Sequence, residues 1–456
     1  MREAHAGRGS RPPLRFHRLR DTQGPARPVG GLRLSVEILN RACAGSEEKD
    51  DCIVAVGPNE AKAIWIKYLG KTAWMFDEHV SAICEKLLKK LGVKCAKVEI
   101  NGKDALDYVI LARLECAIHR ATNDEGRMRI AAVRTVDAPT RFKTEKNHLR
   151  RSRLYIPGNS PRMMNSAGVY GADCLLLDLE DAVSPAEKDA ARFLVKHALA
   201  FLDFGFSELF VRINPFSVCG REDVTQVLQA APHGLTIPKV EDDDDLKDAC
   251  KTMGEAESFR GLEDHSTKIM SIIETAKGVL KAKDIAKAAP KRHVVMAFGA
   301  EDYTRDIGAE RSREGDELLF PRCTIVVAAK AAGIQVSDTV FADVEDCDAL
   351  LAETRKIKSL GFDGKGAINP RQIGLMHEVF NPSPEEIDYA LRVMDAIGEA
   401  KAKGSGVIAL GSKMIDAPVA ARAGRIIAIA KRTGLEIKRI EEEPKASGKK
   451  ADAGGE

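Results

Sequence analysis

The chain has 456 residues, a formal charge of +2, 44% hydrophobic residues and 30% charged residues. That length calls for two folded units, the near-neutral charge provides no field suited to nucleic acid or an anionic membrane as main partner, and no apolar run approaches the ~20 residues that span a bilayer. The ten cysteines stand singly with no C-x-x-C pair, and the ten histidines show no H-x-x-x-H spacing, which excludes the common zinc sites and points to reduced thiols of a cytoplasmic protein.

Residues 1–38 carry Arg2, Arg8, Arg11, Arg15, Arg18, Arg20, Arg27 and Arg33 among glycine and proline. With no apolar periodicity, this stretch is expected to be a disordered basic extension rather than a transit peptide, which needs an apolar helical face. Residues 39–122 then read as a small α/β module. Strands are expected at 52–56, 63–68 and 96–100, a helix through Val80, Cys84, Leu87, Leu88 and Leu91 that stops at Gly92, and a second helix at 105–121. The polar stretch 123–149 reads as a linker, and 437–456, with Glu441, Glu442 and Glu443, as a solvated tail.

Between them, residues 150–436 alternate regularly. Short apolar runs recur at 154–156, 174–179, 209–213, 235–240, 268–273, 294–298, 333–340 and 366–368. Helical segments separate them at 162–170, 185–201, 223–231, 243–253, 276–287, 315–332 and 344–360. Eight strands alternating with helices predict an α/β fold, a closed (β/α)8 TIM barrel preceded by the small module. Further helices at 384–403 and 417–433 are expected to cap it or pack outside.

Such barrels carry their chemistry at the carboxyl ends of the strands. Here those ends are polar: Pro157 and Gly158, then Asp178, Glu180 and Asp181, then Arg212 and Asn214, Lys239 and Glu241, Glu274, Glu301 and Asp302, Asp338, and Asn369 with Arg371. Converging carboxylates without histidine suit a hard, oxygen-seeking cation such as Mg2+. Glu274 and Asp302, closing neighbouring strands, are the expected ligands. The competing reading makes each acid an N-terminal helix cap. Lys239 reads as an ion-pair partner rather than a Schiff-base lysine. The turn at 157–160 could hold a phosphate on its backbone N–H groups, although Pro-Gly is also an ordinary turn.

Several ordered motifs carry a resemblance. The runs Arg151-Ser152-Arg153-Leu154-Tyr155-Ile156-Pro157-Gly158, Leu177-Asp178-Leu179-Glu180-Asp181-Ala182-Val183, Ile273-Glu274-Thr275, Phe298-Gly299-Ala300-Glu301-Asp302-Tyr303 and Gly364-Lys365-Gly366-Ala367-Ile368-Asn369-Pro370-Arg371-Gln372 resemble the citrate lyase β-subunit, of the HpcH/HpaI aldolase/citrate lyase family. The resemblance implies a carbon–carbon lyase that splits a citryl thioester into oxaloacetate and an acetyl thioester. It implies Mg2+ on Glu274 and Asp302, catalysis by these with Arg212, and substrate contacts at Arg212, Glu274, Pro157, Gly158 and Arg151. Glu180, Asp181, Lys239, Glu301 and Asn369 would stand around them. Arg212 is expected to hold a substrate carboxylate in its bidentate fork. A malyl-CoA or citramalyl-CoA lyase is the alternative within the same fold, and a non-catalytic scaffold the alternative outside it.

The module, through Ala44-Gly45-Ser46, Leu91-Gly92-Val93-Lys94 and Asp104-Ala105-Leu106-Asp107, resembles the citrate lyase acyl carrier, or γ-subunit. That family attaches a phosphoribosyl-dephospho-CoA arm to a serine shortly after Ala-Gly. Here Lys49 holds the matching place, Asp50 follows it, and Ser46 is out of register. The module is therefore either a loaded carrier of altered register or a docking unit without an arm. The resemblance also implies a homo-oligomer and an acyltransferase α-subunit as partner.

Overall fold

The structure, a computed structural model, describes residues 35–402, 409–410 and 413–439. The rest of the basic extension (1–34) and of the tail (440–456) lies outside the described residues. Residues 35–38 do not behave as a free extension: Val36 and Ile38 are buried in the module's core.

The module is a four-stranded sheet, β1 (Ala42–Ala44), β2 (Cys52–Gly57), β3 (Ile64–Leu69) and β4 (Ala96–Gly102), in the order β1-β2-β4-β3. Helices α1 (Ala73–Leu91) and α2 (Asp107–Ala121) accompany it. Alternation along β2 and β4 buries Val54, Val56, Val98 and Ile100 on one face, as period-two side chains require. Gly92 ends α1 in the left-handed conformation, φ 76°, with its N–H returned to the last turn.

Stretch 123–149 departs from the expected linker. It opens with a helix, α3 (Asp124–Ala132), capped by Asn123, whose side chain accepts from the Gly126 N–H. Beyond it Thr135 donates to Gln229 and the Arg141 guanidinium to the Leu199 and Ala231 carbonyls. A polar segment is ordered here because the barrel supplies its partners.

Module and barrel share a buried contact. Helix α2 lies on the barrel helix Lys188–Phe201, and at its centre the buried Glu115 accepts from Lys196 Nζ at 2.7 Å and pairs with His197 Nε2 at 2.7 Å. Arg120 grips Asp189 with two hydrogen bonds, at 2.8 and 2.6 Å.

The barrel closes as expected: β5 (Ser152–Pro157), β6 (Cys174–Asp178), β7 (Glu208–Arg212), β8 (Gly234–Ile237), β9 (Lys268–Ile273), β10 (His293–Phe298), β11 (Gln335–Asp338) and β12 (Gly364–Ala367) run parallel, and β12 pairs back onto β5. Alternation explains the two cores. Leu175, Leu177, Leu209, Val211 and Leu235 pack outward against the helices, while Cys174, Leu176, Phe210, Met270 and Ile272 fill the interior with Tyr155. Strand β11 is shorter than its apolar run suggests, β12 begins two residues before its run, and a helix not expected from the sequence, Ala300–Ile307, follows β10.

Candidate active site

Extending the inward alternation by one step past the hydrophobic layer fixes the site. Asp178 follows Leu176, Arg212 follows Phe210 and Glu274 follows Ile272, so the topmost inward residues of three strands are charged. They border a cavity of about 640 Å³ whose walls also include Arg153, Tyr155, Asp302 and Asn369.

Glu274 is 3% exposed, and its Oε1 accepts the Lys239 backbone N–H at 2.6 Å. To present that N–H, Lys239 adopts a left-handed backbone, φ 51°, unusual for a side-chain-bearing residue. Opposite stands Gly299. A Cβ there would lie 2.6 Å from Glu274 Oε2 and 2.8 Å from its Cβ, so only glycine leaves the carboxylate its room. Burial, and then the charges of Glu180 and Asp302, push the Glu274 carboxyl up to about 8.

Asp302 sits in the first turn of Ala300–Ile307 and pairs with the exposed Arg305 at 2.5 Å. Among the described residues no three His, Cys, Asp or Glu side chains converge as a complete metal cage. The donor set still fits Mg2+, which commonly takes one or two carboxylates and keeps its other positions for water and substrate. Mutually repelling carboxylates at one cavity wall are the arrangement that a dication offsets.

Arg212 does not present the free fork expected of it. Its Nε and Nη2 donate to Asp178 at 2.7 and 2.6 Å, and its Nη1 lies 2.9 Å from Glu180 Oε2 and 3.2 Å from Asp181 Oδ2. The bidentate face is thus occupied, and only the Nη1 side is turned toward the other acids. Glu180, 3% exposed, is held from both sides, by Arg212 and by Lys239 Nζ at 2.5 Å; burial raises its carboxyl despite these cations.

Other expected positions divide. Pro157, Asp181, Glu301 and Asn369 line the cavity, with Glu301 also 2.6 Å from Arg311. Gly158 does not act as an anion-binding N–H: that group donates to the Asp178 carbonyl at 2.8 Å, and the glycine serves the close approach of β5 to β6. Arg151 is a correction. It precedes β5, at the opposite end of the barrel, where it clamps Asp173 at 2.8 and 2.7 Å and reaches Asn381. The inward arginine is Arg153, two residues later and on the cavity wall; the sequence reading gave it no role.

All ten cysteines are free, and among the described residues no helix is long and apolar enough to cross a membrane.

Comparison with known proteins follows this division of the chain. Residues 151–370 match the family model described as HpcH/HpaI aldolase/citrate lyase, and residues 39–121 match an ACP model described as malonate decarboxylase delta subunit. The citrate lyase subunit beta of Haemophilus influenzae is 44% identical over 284 residues, 62% of this chain and 97% of that protein. The mitochondrial citramalyl-CoA lyase of Mus musculus is 33% identical over 317 residues, 67% of this chain and 93% of that one. Among solved structures, CitE from Mycobacterium tuberculosis in complex with magnesium, acetoacetate and coenzyme A is 28% identical with a TM-score of 0.52, covering 63% of this chain and 100% of its own.

Proposed function

The chain belongs to the HpcH/HpaI aldolase/citrate lyase family and is a carbon–carbon lyase, and on that footing we propose that it cleaves a citryl thioester into oxaloacetate and an acetyl thioester, with Mg2+ as its metal. One observation carries the reading: Glu274 and Asp302, from neighbouring strand ends, border a single cavity, and the Asp302 charge adds to the burial that raises the Glu274 carboxyl. Both relatives named above as lyases, and the CitE complex with magnesium and coenzyme A, point the same way.

Glu274 and Asp302 would hold the metal, which when bound supplies Lewis-acid polarisation of a substrate hydroxyl and carboxylate. The chain's own groups do the rest. The Lys239 N–H fixes the Glu274 carboxylate, and Gly299 leaves space for it. Arg212, locked by Asp178, presents the Nη1 side of its guanidinium as a fixed positive charge beside the cavity. A charge that needs no reorganisation is the form of stabilisation that suits a developing oxyanion or enolate. The hydroxyl gives up its proton and becomes the keto C=O of oxaloacetate as the bond to the thioester's α-carbon breaks; that carbon keeps the electron pair as an enolate and takes up a proton in turn.

A second reading, a citramalyl-CoA lyase acting on free CoA thioesters, is favoured by Lys49 at the place of the carrier serine. The relative named a beta subunit also supports a larger assembly, for which we propose an acyltransferase α-subunit and a homo-oligomer. Exposed Phe320 and Val327 on the barrel helix Leu319–Ala331 are candidates for such contacts.

Purified protein assayed with citryl-CoA, malyl-CoA and citramalyl-CoA, with and without EDTA, tests these readings. Oxaloacetate from citryl-CoA, abolished by EDTA and restored by Mg2+, is the expected result. Faster cleavage of citramalyl-CoA establishes the second reading, and turnover indifferent to EDTA overturns the metal.

A further inference from the structure

Eight arginines are buried among the described residues. Six face carboxylates within 3.0 Å: Arg113 with Asp51, Arg150 with Glu208, Arg192 with Asp223, Arg212 with Asp178, Arg292 with Glu257 and Arg322 with Asp338. Arg260 donates to backbone carbonyls instead. Arg153 has neither. At 2% exposure its one hydrogen-bond partner among the described residues is the Met270 sulfur, 3.4 Å from Nη1, and its Nε has none there.

Among the described residues, the acids of the two strands following β5 that could reach it are already taken. Arg153 lies opposite Cys174, which lies opposite Glu208, but the Glu208 carboxylate is taken by Arg150 at 2.5 and 2.7 Å. Asp178, four residues above Cys174 on β6, is taken by Arg212. Arg153 and Arg212 instead stand 5.4 and 5.3 Å from the Tyr155 ring centroid, a contact that offsets only part of a buried charge. A guanidinium cannot shed its proton, so burial without a counter-ion is retained at a cost. Since Arg153 lines the cavity, the missing anion is one that enters with the ligand.

We propose that Arg153 is the receptor for a second carboxylate of the substrate and sets its specificity, an inference that rests on the thioester-lyase reading. A thioester arm, joined to a bulky carrier or to CoA, has to leave through the open mouth. The hydroxyl and first carboxylate are expected beside Glu274 and Asp302, on the cation these two would hold. The remaining substituent on the carbinol carbon is thus turned into the barrel, toward Arg153. A carboxymethyl group meets the guanidinium there; a methyl group or a hydrogen leaves it unpaired. Arg153 therefore selects substrates whose keto-acid product is dicarboxylic.

Two measurements on the full chain with Mg2+ test this. The first is the Kd for oxaloacetate and for pyruvate in wild type, Arg153→Met and Arg153→Lys. Arg153→Met is expected to weaken oxaloacetate about 100-fold and pyruvate by less than about threefold. Arg153→Lys, which keeps the charge but not the fork, is expected to weaken oxaloacetate about tenfold and serves if the Met variant does not fold. Equal weakening of both acids, or of neither, overturns the proposal. The second is the ratio of kcat/KM for citryl-CoA over citramalyl-CoA, expected to fall about 100-fold in Arg153→Met; an unchanged ratio also overturns it. If wild type cleaves neither thioester, the citryl-thioester reading fails while the two Kd values still decide the role of Arg153. A structural arginine would lower Tm on replacement by methionine, whereas relief of an unpaired buried charge raises it.

Discussion

The two folded parts of this chain treat their candidate reactive positions in opposite ways. At the barrel mouth, charged side chains are buried, oriented by second partners and turned into a cavity: Glu274 on the Lys239 N–H, Arg212 on Asp178, Glu180 between Arg212 and Lys239. In the module, the Ser46 hydroxyl donates to Asp51 at 2.8 Å and accepts the Glu48 N–H, while Asp51 is itself held by the buried Arg113. Lys49, where the resemblance to an acyl carrier would put a serine, is exposed. The barrel therefore keeps polar groups in costly surroundings, and the module has folded its polar groups into ordinary structural bonds. Preorganised burial is the arrangement that suits chemistry, and the module's loop does not show it.

Removing the groups at the mouth should have the largest effect. Glu274→Ala and Asp302→Ala are each expected to lower metal-dependent kcat by about 1,000-fold while leaving the fold intact by circular dichroism. Undiminished turnover in either variant would refute its assignment. Gly299→Ala is a subtler probe, because the added methyl displaces Glu274 without removing it. A misplacement of that kind is expected to cost about 100-fold in kcat with metal and substrate still bound.

The contact between the parts can be broken separately. Burial alone would raise the Glu115 carboxyl, but the charge of Lys196 and the hydrogen bonds from His197 and Lys196 outweigh it and hold the group at about 2. Lys196, lowered to about 8 by burial, still carries its proton at neutral pH. The folded value of Glu115 lies below its unfolded one of 4.5. Its stabilisation is therefore present above about pH 4.5 and is lost as pH falls from there toward 2. Glu115→Gln is expected to cost about 3 kcal/mol at pH 7, measured by urea denaturation, with the gap to wild type closing in that acid window. A gap independent of pH would show that packing, not charge, joins the parts.

The smallest effect belongs to the module's loop. Ser46→Ala should change kcat/KM on a CoA thioester by less than about twofold, as surface substitutions away from special features do for stability. Intact-mass measurement of residues 40–60 is expected to find them unmodified. A phosphoribosyl-dephospho-CoA adduct there would restore the module as a carrier and reverse the contrast drawn above.

Much of the barrel is legible in the sequence because its strands are apolar on both faces and their ends turn abruptly polar. Leu175, Leu176 and Leu177 serve two cores at once, and no other environment asks for such a run. Glu274 and Asp302 are legible for the same reason, Glu274 as the first charge after a long apolar strand and Asp302 as the second, next to Glu301. Strand β1 escapes because three residues cannot display a period, and α3 because its apolar face is nearly absent and its stability comes from Asn123 and the barrel. Arg151 and Arg153 teach the finer lesson. Two arginines two residues apart point the same way along a strand, and nothing in the sequence tells where the strand begins or how deep the cavity reaches. The choice between them is a matter of depth, which only the closed barrel supplies. The occupied fork of Arg212 was hidden likewise, since Asp178 becomes its neighbour only when β6 and β7 pair.

Barrel closure has a further bearing, on the order of assembly. The seam joins β5 to β12, so the first barrel strand waits for Gly364–Ala367 before both its edges are paired. Every strand of the module lies before residue 103 and needs no such delay. During synthesis the module can thus be complete while β5 still has an open edge, offering the nascent Lys188–Phe201 helix a ready surface in α2 on which to settle. Whatever else it does, a small unit completed first can serve as an early foundation for a slow, long-range fold.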